Sequence, residues 1–370
     1  MKVLYFGTYS TGGGYPRNTV IMDALRGAGV EVEECHAPLF KDAREKVAAA
    51  KGAARFGLRA ARAWWKLYRG YRNAPEHDLV VVGYTGHLDI QLARFLSKKP
   101  IVLDAFLSPW DTVVNDRKLF AGESLRARAL FGAERSALRK AELVLTDTHA
   151  HSDFMADTFG VDRARFHAVP VGSLTRVPVR VGAPDVGAPR PLRAFFCGSF
   201  VPLQGVPVIL DAAAQAPDIE FEIVGDGPGA EVLEAEVAAR AMPNVTLDRR
   251  FIDRDELEDR LEACDVVLGV FGEAEKTGRV VPCKVYDGLA AGKPVITGDG
   301  EAPRAMLKHG EEALLVQRGN PAAIVAALRT LEDADARTRI ADGGHRAYEE
   351  RFSGEAIGTL LRARFEEIVG

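Results

Sequence analysis

The sequence predicts an α/β protein built from two doubly wound parallel sheets. Three observations carry this. Short apolar runs alternate with helical patterns through the first 170 residues. The alternation starts again after residue 190. The stretch between, 171–190, is rich in proline and glycine and has little periodicity. A length of 370 residues suits two domains. We therefore expect a first domain at 1–170, a linker at 171–190, a second domain at 191–352 and a closing helix at 353–370 that returns to the first domain. Two such Rossmann-like domains would face a central cleft.

The elements follow in order. Residues 2–7, 30–34, 79–83, 100–104 and 142–147 read as strands. Most are continuous apolar runs, as in a parallel sheet covered on both faces. Helical patterns lie near 17–28, 43–72, 87–97, 117–140 and 149–159. In the second half, strands are expected at 193–197, 219–224, 244–247, 265–270, 294–297 and 313–316. Helices are expected near 205–215, 229–240, 254–263, 281–291, 320–332, 334–351 and 354–368. Ligands in such sheets bind beyond the carboxyl ends of the strands.

Composition narrows the function. Apolar residues make up 47% and charged residues 27%, ordinary for a globular protein. The net charge of −4 argues against a generally basic nucleic-acid binder. That average conceals +8 over residues 1–180 and −12 over 181–370, so the first domain suits an anionic partner. The four cysteines, Cys35, Cys197, Cys264 and Cys283, are far apart, which fits neither a zinc ribbon nor a disulfide framework. No signal peptide or membrane span is read, and a reducing cytoplasm is expected. Segment 41–73 is different. It carries ten Lys/Arg, two acids and Trp64, Trp65, Leu67 and Tyr68 near one end. It is either a solvated helix whose aromatics pack on the domain or a helix lying on an anionic membrane surface.

Three places could carry chemistry. Gly12, Gly13 and Gly14 follow the first strand and precede a helix, so backbone N–H groups can approach an anion or sugar; a flexible turn is the plainer reading. Gly198, Ser199 and Gln204 occupy the equivalent turn of the second domain, and Gly227 lies in the turn after the next strand. The richest stretch is 268–297. There Lys276, Arg279 and Lys284 surround a loop and a helix start. Cations at a helix N-terminus oppose its dipole and need another reason to be there, such as a bound polyphosphate. Asp287, one turn on, could accept a ribose hydroxyl, or could simply pair with Lys284.

Residues 265–297 resemble the signature of GT-B glycosyltransferases of family 4, with Asp287-Gly-Leu-Ala-Ala-Gly-Lys-Pro-Val in place of a Glu-Ala-x-Ala-x-Gly-x-Pro-Val run. The glycine loop, the linker and the Gly225-Asp226-Gly227 turn also fall where that family has them. The resemblance implies a retaining transfer of sugar from a nucleotide-sugar donor, UDP- or GDP-linked, to an acceptor hydroxyl. Val281, Pro282 and Phe251 join the donor-binding set on this view. The sequence departs from the family at Arg279, Ser199 and Gln204, where charges of opposite sign or basic residues are common. Lys276, Arg279 and Lys284 are expected to supply the missing positive charge. No histidine follows the strand at 100–104, so Asp104 or Asp111 is expected to face the cleft, with His87 as a sugar or acceptor contact. His149 and His151 start a helix and suit packing. Asp253-Arg-Asp255 and Asp333-Ala-Asp335 read as helix caps rather than metal ligands, so no metal or other cofactor is expected. Two rival readings remain: a sugar-nucleotide 2-epimerase of the same fold, and a catalytically silent nucleotide-sugar-binding scaffold.

Overall fold

Parallel strands cannot be joined by tight turns, and every crossover here is helical or passes over a sheet face. The computed structural model describes residues 1–11, 16–39, 53–177, 179 and 190–370. The chain divides into two compact units, Met1–Gly172 with Gly354–Gly370, and Ser173–Ser353.

The first unit holds strands β1 (Lys2–Gly7), β2 (Glu31–His36), β3 (Leu79–Val82), β4 (Ile101–Phe106), β5 (Leu143–Thr146) and β6 (Phe166–Ala168). All pair in parallel, in the order β2-β1-β3-β4-β5-β6. Its helices are α1 (Arg17–Gly27), α2 (Ala53–Arg72), α3 (Asp89–Leu96), α4 (Leu125–Lys140), α5 (His149–Phe159) and the C-terminal α13 (Gly354–Val369). Strands β3 and β4 are buried at every residue, as their unbroken apolar runs predict. Strand β2 lies at the edge and exposes Glu31, Glu33 and Glu34, charges that discourage further pairing. The order in which strands are added reverses between β1 and β3, so their carboxyl ends form the crevice at which a doubly wound sheet is expected to bind ligands.

The second unit repeats the plan. Strands β7 (Arg193–Cys197), β8 (Glu220–Val224), β9 (Val245–Asp248), β10 (Val266–Leu268), β11 (Val295–Gly298) and β12 (Leu314–Val316) pair in the order β12-β11-β10-β7-β8-β9. Helices α6 (Val206–Gln215), α7 (Ala230–Ala239), α8 (Arg254–Ala263), α9 (Cys283–Ala290), α10 (Glu301–Met306), α11 (Pro321–Thr330) and α12 (Ala334–Arg351) flank them. The reversal falls between β7 and β10. Its core is aliphatic and aromatic, including Phe196, Phe221, Phe271, Ile209 and Ile324.

Several expectations change. The helix expected over 117–140 begins only at Leu125, where the Ser124 hydroxyl accepts from Ala127 N at 3.2 Å. A π-helical turn, Asp111–Asp116, precedes it. The 43–72 helix is described from Ala53, and residues 40–52 lie outside the described residues, as do Gly12, Gly13 and Gly14. Strand β6 and helix α10 were not expected. Three residues are too few to show a period, and Pro303 masks α10, although it sits in the first turn, where its missing N–H costs no helical bond. Asp253 and Asp333 cap α8 and α12 as read, accepting from Glu256 N at 2.9 Å and Ala336 N at 2.7 Å. The cysteines are free thiols.

Helix α13 belongs to the first unit because it packs along α1. At the crossing, a Cβ on Gly358 would lie 2.2 Å from the Ala24 carbonyl oxygen. Arg362 adds a hydrogen bond to the Ala28 carbonyl at 2.8 Å. Backbone cannot step aside as a side chain can, so Gly358→Leu should cost about 1–3 kcal/mol by overpacking. Thermal unfolding would show a lowered Tm; a Tm equal to the parent's would contradict this packing.

Candidate functional site

In the second unit, the crevice between β7 and β10 is made by backbone meeting backbone. The turns after β7 and β8 touch where a Cβ on Gly225 (φ +146°) would lie 1.9 Å from the Gly198 carbonyl oxygen. Gly227 (φ +152°) approaches Phe200 N, whose N–H bonds the Asp226 carbonyl at 3.1 Å. The loop after β10 locks onto the β7 turn through Phe271 N to Gln204 O at 3.1 Å and Gly272 N to Leu203 O at 3.2 Å. Gly205 (φ +69°) lets these chains approach. Arg318 fixes the far side of the loop by donating to Ala274 O at 2.7 Å. These glycines do more than turn the chain, which turn chemistry alone would not require.

Lys284, in the first turn of α9, reaches back across this framework. It is 9% exposed, lies 3.8 Å over the Phe196 ring and donates to the Gln204 amide oxygen. A Cβ on Gly198 would sit 2.7 Å from Nζ, so that glycine keeps the space. Among the described residues no carboxylate lies within ion-pair distance of Lys284. Burial pulls its ammonium down to about 7, with Cys197, Cys283 and Asp287 pulling the other way. Lys276, 5% exposed, and Arg279, 3.8 Å from Glu275, stand on the helical turn just before α9. Val281 is buried, and Pro282 is the extended N-cap residue of α9. Ser199 is half-buried in the β7 turn.

Asp287 does not pair with Lys284. Its Oδ1 accepts from Ser173 Oγ at 2.5 Å and Arg254 at 3.3 Å, so the contact expected for a ribose hydroxyl is already taken at that oxygen. Burial raises its carboxyl above the usual range. Phe251 is 50% exposed, whereas neighbouring Arg250 is tied to Asp248 and Glu256.

In the first unit, the β1/β3 crevice is organised by Asp89. Its Oδ2 accepts from Thr8 N and Thr8 Oγ1, both at 2.7 Å, and its Oδ1 from Trp64 Nε1 at 2.9 Å. His87, two residues earlier, is 8% exposed. Neither ring nitrogen has a hydrogen-bond partner among the described residues, and burial pushes its imidazole down to about 4. A buried polar pair of atoms left unmet calls for a ligand or a water. His87 is thus a neutral imidazole at the crevice edge. Thr85 (φ +82°), beyond β3, and Phe106 (φ +50°), at the end of β4, hold strained backbones, and Tyr84 packs edge-on against Phe106.

Asp104 is a correction. It is fully buried and gripped by Arg17, at 3.1 Å from Nε, rather than facing a ligand. Arg17 also donates to Val169 O at 2.7 Å, Pro170 O at 3.0 Å and Thr146 O at 3.3 Å. Sequence reasoning missed Arg17. The signal was available, because a cation in the first turn of a helix is as anomalous there as at 276–284. Asp111 is buried too, accepting from Asn115 at 2.9 Å. His151 is buried against Asp147 at 2.8 Å, a packing role as read, and His149 lies near Arg163.

Comparison with known proteins places this geometry. Residues 191–333 match the family model described as glycosyl transferases group 1. The lipopolysaccharide core biosynthesis glycosyltransferase LpsD of Rhizobium meliloti is 28% identical over 173 residues, 43% of this chain and 45% of LpsD. The 2-deoxystreptamine N-acetyl-D-glucosaminyltransferase of Streptomyces fradiae is 28% identical over 271 residues, 68% of this chain and 61% of that enzyme. The chain spans less than half the length of the first curated relatives it matches. Among solved structures, Anabaena HepE in complex with UDP and glucose superposes with a TM-score of 0.72 over 99% of this chain and 100% of HepE, at 16% identity. The GT-B fold is therefore the fold of this chain.

If Asp104 is structural, removing it leaves Arg17 buried without its hydrogen-bonded counter-charge. Asp104→Ala should destabilise the first unit by about 3–5 kcal/mol. Denaturant unfolding would read this as a lowered midpoint; an unchanged midpoint with lost activity would return Asp104 to the chemistry.

Proposed function

We propose that the chain is a glycosyltransferase, moving a sugar from a nucleotide-sugar donor to an acceptor hydroxyl with retention of anomeric configuration and without a metal ion. The observation that carries this reading is Lys284. A buried ammonium at a helix N-terminus, with no carboxylate at ion-pair distance among the described residues, awaits an anion. In the transfer, negative charge grows on the departing diphosphate. Lys284, the first N–H groups of α9 and the glycine turn at 198–205 are the fixed donors for that charge, with Lys276 and Arg279 adding to it. Phe251 offers an exposed ring face to the base. Asp287 acts by positioning, holding Ser173 and Arg254. His87 offers two unmet ring nitrogens to a sugar or acceptor hydroxyl.

A UDP-sugar is the donor favoured by the UDP and glucose complex of HepE. The net charge of +8 over residues 1–180 and the lipopolysaccharide core role named for LpsD favour an anionic or lipid-linked acceptor. The decisive experiment is a thermal-shift series with UDP-, GDP-, ADP- and TDP-sugars. A ligand that binds only the folded protein raises its Tm. If none of them shifts the Tm, the reading fails.

Two further outcomes are expected. Lys284→Met should weaken UDP binding by about 1.5–3 kcal/mol, roughly 10–100-fold, in isothermal titration. In the parent protein, Lys284 is half-protonated near pH 7 when empty, and a bound diphosphate raises its affinity for the proton. UDP affinity should then fall as pH rises above 7, by up to about tenfold per unit, and Lys284→Arg should flatten that profile. Sugar transfer should also continue in excess EDTA; loss of turnover restored by a divalent cation would refute the metal-free mechanism.

A further inference from the structure

Helix α2 is longer than the sheet it covers. In a doubly wound unit the helix after each strand starts at the carboxyl edge and runs back along the sheet, so α2 and α3 run in the same direction. Asp89, the first residue of α3, marks that edge, because it also holds Thr8 just beyond β1. Trp64 of α2 bonds the same carboxylate. Residues 53–62 therefore project past the edge by about 15 Å, at 1.5 Å per residue. The part alongside the sheet is anchored by Ala63 and Leu67, both buried.

The opposite side of α2 has a different chemistry. Leu58 and Trp65 are 64% and 61% exposed, and Trp65 stacks on Tyr68 with centroids 5.6 Å apart. Arg59, Arg62, Lys66, Arg69 and Arg72 are exposed among them, and residues 53–72 contain no Asp or Glu. The Trp64–Asp89 hydrogen bond ties α2 to the start of α3, where Leu88, just before Asp89, is 57% exposed. Among the described residues no helix is long and apolar enough to cross a membrane.

We infer that this overhanging ledge docks on an anionic lipid bilayer, with Leu58 and Trp65 entering the headgroup region and the α2 cations facing its charge. Large exposed apolar side chains interleaved with arginine, without one acid, match that boundary in both polarity and sign. A soluble anion would satisfy the cations and leave the apolar strip in water. The ledge would hold the β1/β3 crevice close to the bilayer surface. The inference goes beyond the transfer reading and does not depend on it.

Flotation of the full chain with vesicles tests it. Vesicles of phosphatidylcholine with phosphatidylglycerol should carry the protein at low salt, and vesicles of phosphatidylcholine alone should not. The double substitution Arg62→Glu/Arg69→Glu should reduce binding about tenfold or more, and Trp65→Ser should weaken it at unchanged charge. An unchanged Tm and an unchanged shift with UDP-glucose show that these variants fold. Equal flotation with neutral vesicles, no flotation at low salt, or full binding by the folded charge-reversal variant would each overturn the proposal. Self-association or RNA binding without flotation would overturn it as well. Failure of UDP-glucose to shift the parent protein would instead count against the transferase reading alone.

Discussion

The first unit depends on one buried guanidinium. Arg17 lies 1% exposed where the ends of three strands meet, bonded to Asp104 of β4, to the Thr146 carbonyl of β5 and to Val169 and Pro170 beyond β6, with its guanidinium over the Phe106 ring. A parallel sheet leaves the carbonyls at its carboxyl edge without strand partners, and something must receive them. Arg17 does this for the half of the sheet carrying β4, β5 and β6. Asp89 does the complementary work at β1 and α2. Burying an ion pair is expensive in itself, and the desolvation is offset only because nearly every donor of the guanidinium finds an acceptor. Burial still lifts the Asp104 carboxyl above its usual range, with Arg17 pulling it back.

The second unit solves the same edge differently. Its two turns and the β10 loop interlock through glycines, so N–H and C=O groups meet directly. Among the described residues that leaves Lys284 without an ion pair, its nearest company an aromatic ring and an amide. The contrast between the two crevices is informative. The basic group at the first one is consumed by an ion pair, while that at the second lies beside a helix N-terminus without one among the described residues. The same sequence anomaly, a basic residue in the first turn of a helix, thus has opposite meanings at residues 17 and 284.

Much of the fold was legible. The strands and most helices of both units lie within a few residues of their expected positions, because continuous apolar runs and 3.6-residue patterns survive in both halves. The misses have local causes. Strand β6 is too short to show a period, Pro303 hides α10, and the irregular stretch after β4 was read into α4. The cation-bearing loop and the glycine turns were also legible as a candidate site. The fate of Asp104 was not, since nothing near residue 104 announces an arginine 87 positions away. Asp287 likewise sits at a legible place in the helix, yet its partners, Ser173 and Arg254, come from distant parts of the chain.

The sequence by itself determined the two alternating sheets, the capping of α8 and α12, the concentration of charge at 276–284 and the basic-aromatic character of α2. Each of these is written in periodicity or in neighbours a few residues apart. Only the tertiary structure decided which charges are spent. Whether a carboxylate or an ammonium is free depends on what crosses the sheet edge to meet it, and those partners are brought together by strand order rather than by sequence distance. Arg17 finds Asp104 because β4 lies two strands from β1, and Lys284 instead meets Phe196, Gly198 and Gln204, with no carboxylate at ion-pair distance among the described residues.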